Sequence, residues 1–290
     1  MDTAAKQIIP RNVTFGISNN PTRHWLNDDI LATALIDCMS ILLPEGERFF
    51  IRSLRHYLPI LKDQELLAEI KGYSVQEAFH TREHLDYNKA LAKLGYDVEM
   101  MESPVKKFLN KEQPPAINFA ATCAIEHLTL SYSIALLKDL GTQKSVLANA
   151  AMPYKRLWIW HEVEELEHSA VSLHVFDEVT AHWPAWKRYF LRIGTFNAII
   201  FYISYITFRN IALYAKHDGH KTGIGFNFKI LGAMYGRHGI TRKALFNLGK
   251  YYLPGYRPKA AHYSTLLKAG REWIGRELPE LAHDSAPLKN

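Results

Sequence analysis

The sequence predicts an all-α protein, a four-helix bundle followed by additional C-terminal helices. Two observations predict this fold. Apolar residues recur with helical periodicity over long segments, whereas a period-two alternation of strand length is nowhere convincing. The 13 Pro and 16 Gly residues are spread thinly over the 290 residues, and no segment repeats. We therefore expect one domain over residues 1–290, with the bundle at about 27–177 and the helical extension at about 183–290.

Capping residues and helix breakers set the expected boundaries. The segment Asn27-Asp28-Asp29 is a suitable N-cap for the first helix, and Gly95 is a suitable stop for the second, which begins at about Asp63. The predicted helices run from about 27 to 54, from 63 to 94, from 115 to 141, from 145 to 177 and from 183 to 216, with shorter helices around 253–255.

The composition narrows the class of protein. The two cysteines, Cys38 and Cys123, lie inside apolar helical patterns, so we expect neither a disulfide framework nor a thiolate metal site. Residues 1–6 lack the basic and apolar regions of a secretory signal, which predicts a cytoplasmic protein. The net charge of +6 comes from scattered basic residues, modestly enriched after Lys216, without a nucleic-acid-binding motif. We expect no nucleic-acid partner.

One uncharged stretch, 193–208, raises the question of a membrane. It is bracketed by Arg192 and Arg209 and is shorter than the roughly 20 residues that a spanning helix needs. It predicts either a buried or oligomer-facing helix, which would include a homodimer, or a contact with a membrane surface or a lipid substrate. The second option would make the cytoplasmic protein peripherally membrane-associated.

Two E-x-x-H motifs carry the clearest chemical signal. Glu77 and His80 lie one turn apart on the second predicted helix, and Glu165 and His168 lie one turn apart on the fourth. Each pair can chelate one metal ion. A lone motif of this kind is weak, but di-iron helical bundles combine two such helices with one glutamate from each of two others.

The first and third predicted helices supply those single glutamates. Glu47 is preferred over Glu45, because Phe49 and Phe50 follow it into the apolar interior. Glu126 lies in an otherwise apolar run, where an unpaired carboxylate would cost several kcal/mol in desolvation. Four buried glutamates carry four negative charges, which two divalent metal ions would balance.

Further polar residues share these helix faces. His161 lies on one narrow stripe with Glu165 and His168, and His84 follows His80 by one turn, so both are candidate ligands. Glu164 and His84 are candidate general bases. Glu162 and Glu167 are expected to meet solvent or basic partners, and His127 is expected to be a core or supporting residue rather than a ligand.

These residues resemble a known family. The segment 44–50, the Glu77–His84 cluster, Glu126-His127 and the His161–His168 cluster resemble the bacterial family of predicted metal-dependent hydrolases, over about 11–177 with weaker traces at 252–256. The ligand pattern is also similar to that of ferritin-like di-iron oxygenases of the arylamine N-oxygenase type. The latter resemblance implies a ferritin-like bundle with ligands at Glu47, Glu77, His80, Glu126, His161, Glu165 and His168; His84 goes beyond it.

Three functions remain open at this point. The first is a di-iron oxidase or oxygenase that uses O₂ as co-substrate and acts on a hydrophobic small molecule; an oxygen-rich, imidazole-containing site suits Fe or Mn. The second is a two-metal hydrolase, with Zn or Mn, in which acidified water attacks an ester, amide or phosphate. The third is a non-catalytic metal-binding or storage protein.

Overall fold

The computed structural model describes residues 8–237 and 239–278, and this part of the chain is all-helical. Its only extended pairing is one isolated antiparallel bridge between Leu26 and Ala150, without a β-strand in the described ranges. The predicted all-α class is confirmed.

The helices are numbered here in chain order. The described residues form ten α-helices: α1 (Ile30–Arg55), α2 (Gln64–Lys93), α3 (Val98–Leu109), α4 (Pro115–Leu137), α5 (Met152–Glu167), α6 (Val171–Val179), α7 (Ala185–His217), α8 (Ile224–Tyr235), α9 (Ile240–Lys250) and α10 (Ser264–Glu277).

The first two helices begin and end where their capping residues predict. The Asp29 side chain accepts hydrogen bonds from the backbone N–H groups of Leu31 and Ala32, and Asp63 caps α2 in the same way. Gly95 follows α2 with a φ of 93°, a left-handed conformation that glycine adopts without strain.

The prediction for the fourth helix was wrong at both ends. A turn region with left-handed residues Asp139 and Gly141 precedes it, and α5 begins only at Met152. The helix also ends at Glu167, where a short turn separates it from α6. Neither glycine nor proline marks this second break. The sequence analysis also missed α3, which Asp97 caps through the backbone N–H of Met100.

Helix packing places the C-terminal part of the chain around the predicted bundle helices. Helix α1 packs against α2, and α4 packs against α5. Helices α7 and α9 then lie against α4, and α10 lies against α5. The second and fourth predicted helices therefore face their neighbours with the residues of the E-x-x-H motifs buried.

Two helices are long and apolar enough to cross a membrane by length and composition. Helix α4 is mostly inside the protein, with 83% of its most apolar window buried, whereas the corresponding window of α7 is only 39% buried. Cys38 and Cys123 are free and buried, as expected. The expectation about a secretory signal concerns residues 1–6, which lie outside the described ranges.

Candidate metal centre

Three helices, α1, α2 and α5, bring the candidate donors together. Glu47 comes from α1, and α2 supplies three donors on one face at one-turn spacing. Helix α5 supplies two more, and the residue at its C-terminal cap supplies the last. Two groups have donor atoms that all lie within 4.8 Å of one another: a first donor group of Glu77, His80, Glu165 and His168, and a second donor group of Glu47, His84 and His161.

The first donor group is spaced like the corners of a coordination polyhedron. His168 Nε2 lies 3.4 Å from Glu77 Oε1 and 3.8 Å from Glu165 Oε1. His80 Nδ1 lies 3.9 Å from an oxygen of each carboxylate. Metal bonds of about 2.0–2.2 Å place neighbouring ligand atoms roughly 3 to 3.5 Å apart. A small inward movement of these side chains would enclose an ion.

The second donor group contains two imidazoles and one carboxylate. His84 Nε2 and His161 Nδ1 are 3.2 Å apart, a normal separation for two nitrogens that share one ion. Glu47 is fully buried, and neither of its carboxylate oxygens has a hydrogen-bond partner among the described residues. A buried carboxylate without a donor is costly unless a cation faces it.

Glu165 connects the two donor groups. Its Oε1 lies 3.4 Å from His161 Nε2 and also faces the two histidines of the first donor group. Its Oε2 accepts a hydrogen bond of 2.7 Å from Thr129 Oγ1. One carboxylate with an unpartnered oxygen between histidines of both groups suits a dinuclear arrangement.

Hydrogen bonds on the far side of the rings orient two of the histidines. His80 Nε2 lies 3.1 Å from Glu164 Oε2, which leaves His80 Nδ1 for the first donor group. His84 Nδ1 lies 2.9 Å from Ser40 Oγ, which leaves its Nε2 for the second donor group. Such partners fix the tautomer and the ring position of metal-binding histidines.

The same contacts change the interpretation of the two predicted bases. Glu164 is paired with Arg11 at 3.0 Å, in addition to its contact with His80, so it is not a free base facing a cavity. Its position is that of a group that orients His80. His84 is placed among the donors. Arg11 was missed by the sequence analysis because it lies 153 residues from Glu164 and carries no local signal.

Glu126 and Glu45 lie outside both donor groups. Glu126 accepts a hydrogen bond of 2.5 Å from the Tyr73 hydroxyl, and its other oxygen is 3.4 Å from His168 Nδ1. The structure therefore places it behind His168, next to the first donor group. Glu45 pairs with Arg48 at 2.8 Å, so Glu47 is the glutamate of α1 that joins the donors.

The remaining acidic residues of α5 have separate partners. Glu167 pairs with Arg11 at 2.6 Å and with Arg271 at 2.9 Å, which confirms the expected basic partners. The same expectation was wrong for Glu162, which is buried and accepts a hydrogen bond from Ser133. His127 is a core residue, as expected: its ring stacks on Tyr251, and its Nε2 meets the Asn247 carbonyl oxygen at 3.0 Å.

Burial and like charges dominate the electrostatics of the centre. Burial, reinforced by the charge of Glu165, raises the pKa of Glu47 and of Glu77 well above the usual range. Burial also raises the pKa of Glu165 to about 7. Burial lowers the pKa of His80, together with the nearby His168. For His168 itself, burial opposes protonation, but Glu165 and Glu126 outweigh it and raise the pKa to about 9.

A second observation, independent of these pKa shifts, indicates that the donor residues fit metal ions. Polar atoms of both donor groups are buried without hydrogen-bond partners among the described residues: both oxygens of Glu47 and of Glu77, Oε1 of Glu165, Nδ1 of His80 and Nε2 of His168. All of them are metal-binding atom types, and oxygen and imidazole donors without thiolate suit Fe, Mn or Zn. One cation in each donor group would give these atoms partners.

An apolar cavity of about 350 Å³ lies next to residues that flank the donors, although none of the seven donor residues lines it. Gly46 and Phe50 on either side of Glu47 line it, as does Thr129, the hydrogen-bond donor to Glu165. Most of its other walls are aliphatic and aromatic side chains from α1, α3, α4, α7, α8 and α9. Its size and lining are typical of a small-molecule pocket.

The donor groups and the match to a family model both indicate a metal-dependent protein. No curated protein and no solved structure matches this chain at a significant level. The model of one family, described as predicted metal-dependent hydrolase, matches residues 9–262, a range that contains both donor groups and all of the cavity walls. The chain therefore belongs to the family of predicted metal-dependent hydrolases.

Proposed function

We propose that this protein is a dinuclear metal-dependent hydrolase that acts on a hydrophobic small molecule. The observation that carries the proposal is the pair of buried donor groups, linked by Glu165 and placed beside an apolar cavity. The family description supports hydrolysis in particular.

Each donor group would hold one ion, with Glu165 between them. Two divalent ions held in this way would supply Lewis acidity toward a carbonyl or phosphoryl oxygen and would make water acidic near neutral pH. Glu47, Glu77 and Glu165 would neutralise most of the added positive charge. The ligand roles of these residues are part of the proposal, as is the role of Glu126 behind His168.

The residues around the donors have two tasks in this proposal. The cavity binds the apolar part of the substrate and excludes bulk water, which strengthens electrostatic interactions at the donors. The network of Arg11, Glu164 and His80 holds an imidazole in place and compensates buried charge. Thr129 touches both regions, since it lines the cavity and donates to Glu165.

The proposal is tested with protein reconstituted separately with Zn, Mn and Fe(II). Hydrophobic aryl esters and amides of increasing acyl length, and phosphate esters of increasing alkyl length, serve as substrates. We expect metal-dependent cleavage that improves with acyl or alkyl length and is lost in Glu77→Gln. Glu162→Gln is the matched control, because Glu162 is equally buried but bonds Ser133. Full activity of Glu77→Gln, or cleavage by metal-free protein, would contradict the assignment.

A di-iron oxidase or oxygenase is the second candidate. It is favoured by the two E-x-x-H helices with additional glutamates and no thiolate, a donor set that resembles di-iron bundles. It is also favoured by the apolar cavity, which suits O₂ and a hydrophobic substrate. Oxygen consumption by the Fe(II) form, without ester, amide or phosphate cleavage by any metal form, would select this candidate over hydrolysis.

A further inference from the structure

Helix α7 exposes a stripe of large apolar side chains. Trp186, Phe190, Phe201 and Tyr205 are 65%, 65%, 80% and 61% exposed. At 100° per residue these four positions lie within about 100° of one another around the helix axis. They extend along the helix for about 28 Å at 1.5 Å per residue. An isolated exposed apolar residue needs no explanation, but a stripe of this length does.

Helices α8 and α9 continue this apolar surface. Helix α8 buries only Phe226, Ile230 and Met234 and exposes most of its other apolar residues, including Ile224 at 79% and Phe228 at 68%. Helix α9 exposes Phe246 at 77%. We call the following exposed residues the apolar face: Trp186, Phe190, Phe201, Tyr205, Ile224, Phe228, Leu245 and Phe246.

The cavity reaches the surface beside Leu245 of the apolar face. Tyr235, Leu245 and Tyr252 line the cavity and are also 38%, 48% and 41% exposed. Ile200, Ser204 and their neighbours on α7 line it from the opposite side. A path from the surface to the residues around Glu47 therefore passes between α7, α8 and α9.

The part of the chain that carries the apolar face is strongly basic. Between residues 183 and 278 there are 16 Lys and Arg residues but only three Asp and Glu residues, whereas residues 1–182 contain 18 basic and 24 acidic residues. Lys221, Lys229 and Arg242 are exposed next to the apolar residues. Arg242 lies one turn before Leu245 and Phe246, on the same side of α9.

We propose that the apolar face is a docking surface for an anionic lipid bilayer. Exposed aromatic and aliphatic side chains beside basic residues are the combination that binds at such an interface, where the apolar groups enter the headgroup region and the cations face lipid phosphates. A second copy of the chain would bring two basic surfaces together. Arg192 holds α7 within the fold, since it is buried and donates to the carbonyl oxygens of Tyr251 and Leu253.

Docking would place the cavity mouth against the bilayer. A hydrophobic substrate dissolved in the membrane could then enter between Tyr235, Leu245 and Tyr252 without crossing water. This access route rests on the proposed function, whereas bilayer binding does not. The two can fail separately, because vesicle binding is measured without any catalytic readout.

The test is co-sedimentation of the full chain with vesicles of phosphatidylcholine alone or mixed with phosphatidylglycerol. We expect binding to the mixed vesicles that weakens at high salt. Lys221→Glu, Lys229→Glu and Arg242→Glu should each weaken it by about fivefold or more. The triple variant Phe201→Ser/Phe228→Ser/Phe246→Ser should abolish it.

Matched controls distinguish binding through the apolar face from non-specific adhesion to vesicles. Ile60 is 61% exposed, as Tyr205 is, but lies outside the basic region, so Ile60→Ser should bind vesicles like wild type. Lys62→Glu is the corresponding charge control. Circular dichroism verifies that each variant is folded. The proposal is overturned by absence of wild-type binding to anionic vesicles, by equal loss in the controls, or by a stable dimer in lipid-free solution that the triple variant dissociates.

Discussion

The helices before residue 183 and those after it differ in which groups they bury and which they expose. The first part buries polar groups: the glutamates and histidines of both donor groups lie almost without solvent contact among helices α1, α2 and α5. The second part exposes apolar groups on α7, α8 and α9. Either arrangement is unfavourable in an ordinary soluble protein. Each becomes reasonable once a missing partner is supplied, a cation for the first and an apolar surface for the second.

The cavity lies where these two parts meet. Its walls combine residues beside Glu47 on α1 with residues of α7, α8 and α9. The two parts of the chain would therefore have different roles. On the proposed function, the first part of the chain would supply the metal donors, both parts would supply the apolar cavity walls, and the second part would supply the route from the surface.

The largest effect is expected from Glu165→Gln. Glu165 faces histidines of both donor groups, and its neutral isostere would leave too few anionic ligands for two ions. We expect the metal content to fall by at least one ion per chain, measured by elemental analysis after reconstitution. Glu162→Gln should keep the wild-type content. Equal metal content in both variants would show that Glu165 does not bind metal in the first part of the chain.

A smaller effect is expected behind the first donor group. Glu126 lies 3.4 Å from His168 Nδ1 and receives the Tyr73 hydroxyl, so it orients a ligand rather than replacing one. Changes at such positions typically cost about 10–100-fold in metal affinity. We expect Glu126→Ala to fall in this range in competition with a chelator, with Tyr73→Phe weaker in the same direction. Complete loss of metal in Glu126→Ala would instead identify Glu126 as a direct ligand.

A third prediction concerns a substitution in the part of the cavity wall that the second part of the chain forms. A Cβ at Gly249, which lines the cavity, would meet nothing within 4 Å, so Gly249→Leu adds a side chain there without a backbone clash. We expect the KM for a long-chain substrate to rise roughly tenfold at unchanged metal content, in the range by which pockets distinguish small changes in apolar volume. Gly275→Leu, at another open helical position, is the control and should leave the KM unchanged.

Much of the two donor groups could be predicted from the sequence because their members follow local patterns. The spacing of Glu77 and His80, and of Glu165 and His168, is fixed by helix geometry, so the pairing of each carboxylate with its imidazole needed no tertiary information. His84 and His161 were found by the same argument. The preference for Glu47 over Glu45 was based on the following phenylalanines, and Glu47 is the one of the two that lies together with His84 and His161.

What the sequence could not provide depends on distant contacts. Arg11 meets Glu164 and Glu167 across more than 150 residues, and no spacing rule anticipates such a pair. Glu162 was expected near solvent or a base because its charge suggested exposure, but Ser133 on the neighbouring helix accommodates it. The break after Glu167 has no glycine or proline to mark it. The ferritin-like topology of the bundle remains a prediction.

The smallest effect concerns a buried carboxylate of the first part that has neutral partners. Asp37 accepts hydrogen bonds from Trp25 Nε1 at 2.8 Å and from the Tyr87 hydroxyl at 2.5 Å. Burial outweighs these bonds and raises the pKa of Asp37 from 3.8 to about 6. The folded state therefore holds the proton more tightly than the unfolded state, so the stabilisation from protonated Asp37 is complete below pH 3.8 and is lost as the pH rises through about 6.

Asp37→Asn stays neutral, and we expect its free energy of unfolding, relative to wild type, to increase by about 1 kcal/mol between pH 5 and about 7.5. Urea denaturation at the two pH values measures this difference. A pH-independent difference between Asp37→Asn and wild type would show that Asp37 stays charged in the fold, and that neutral donors alone can hold a buried carboxylate in this part of the chain.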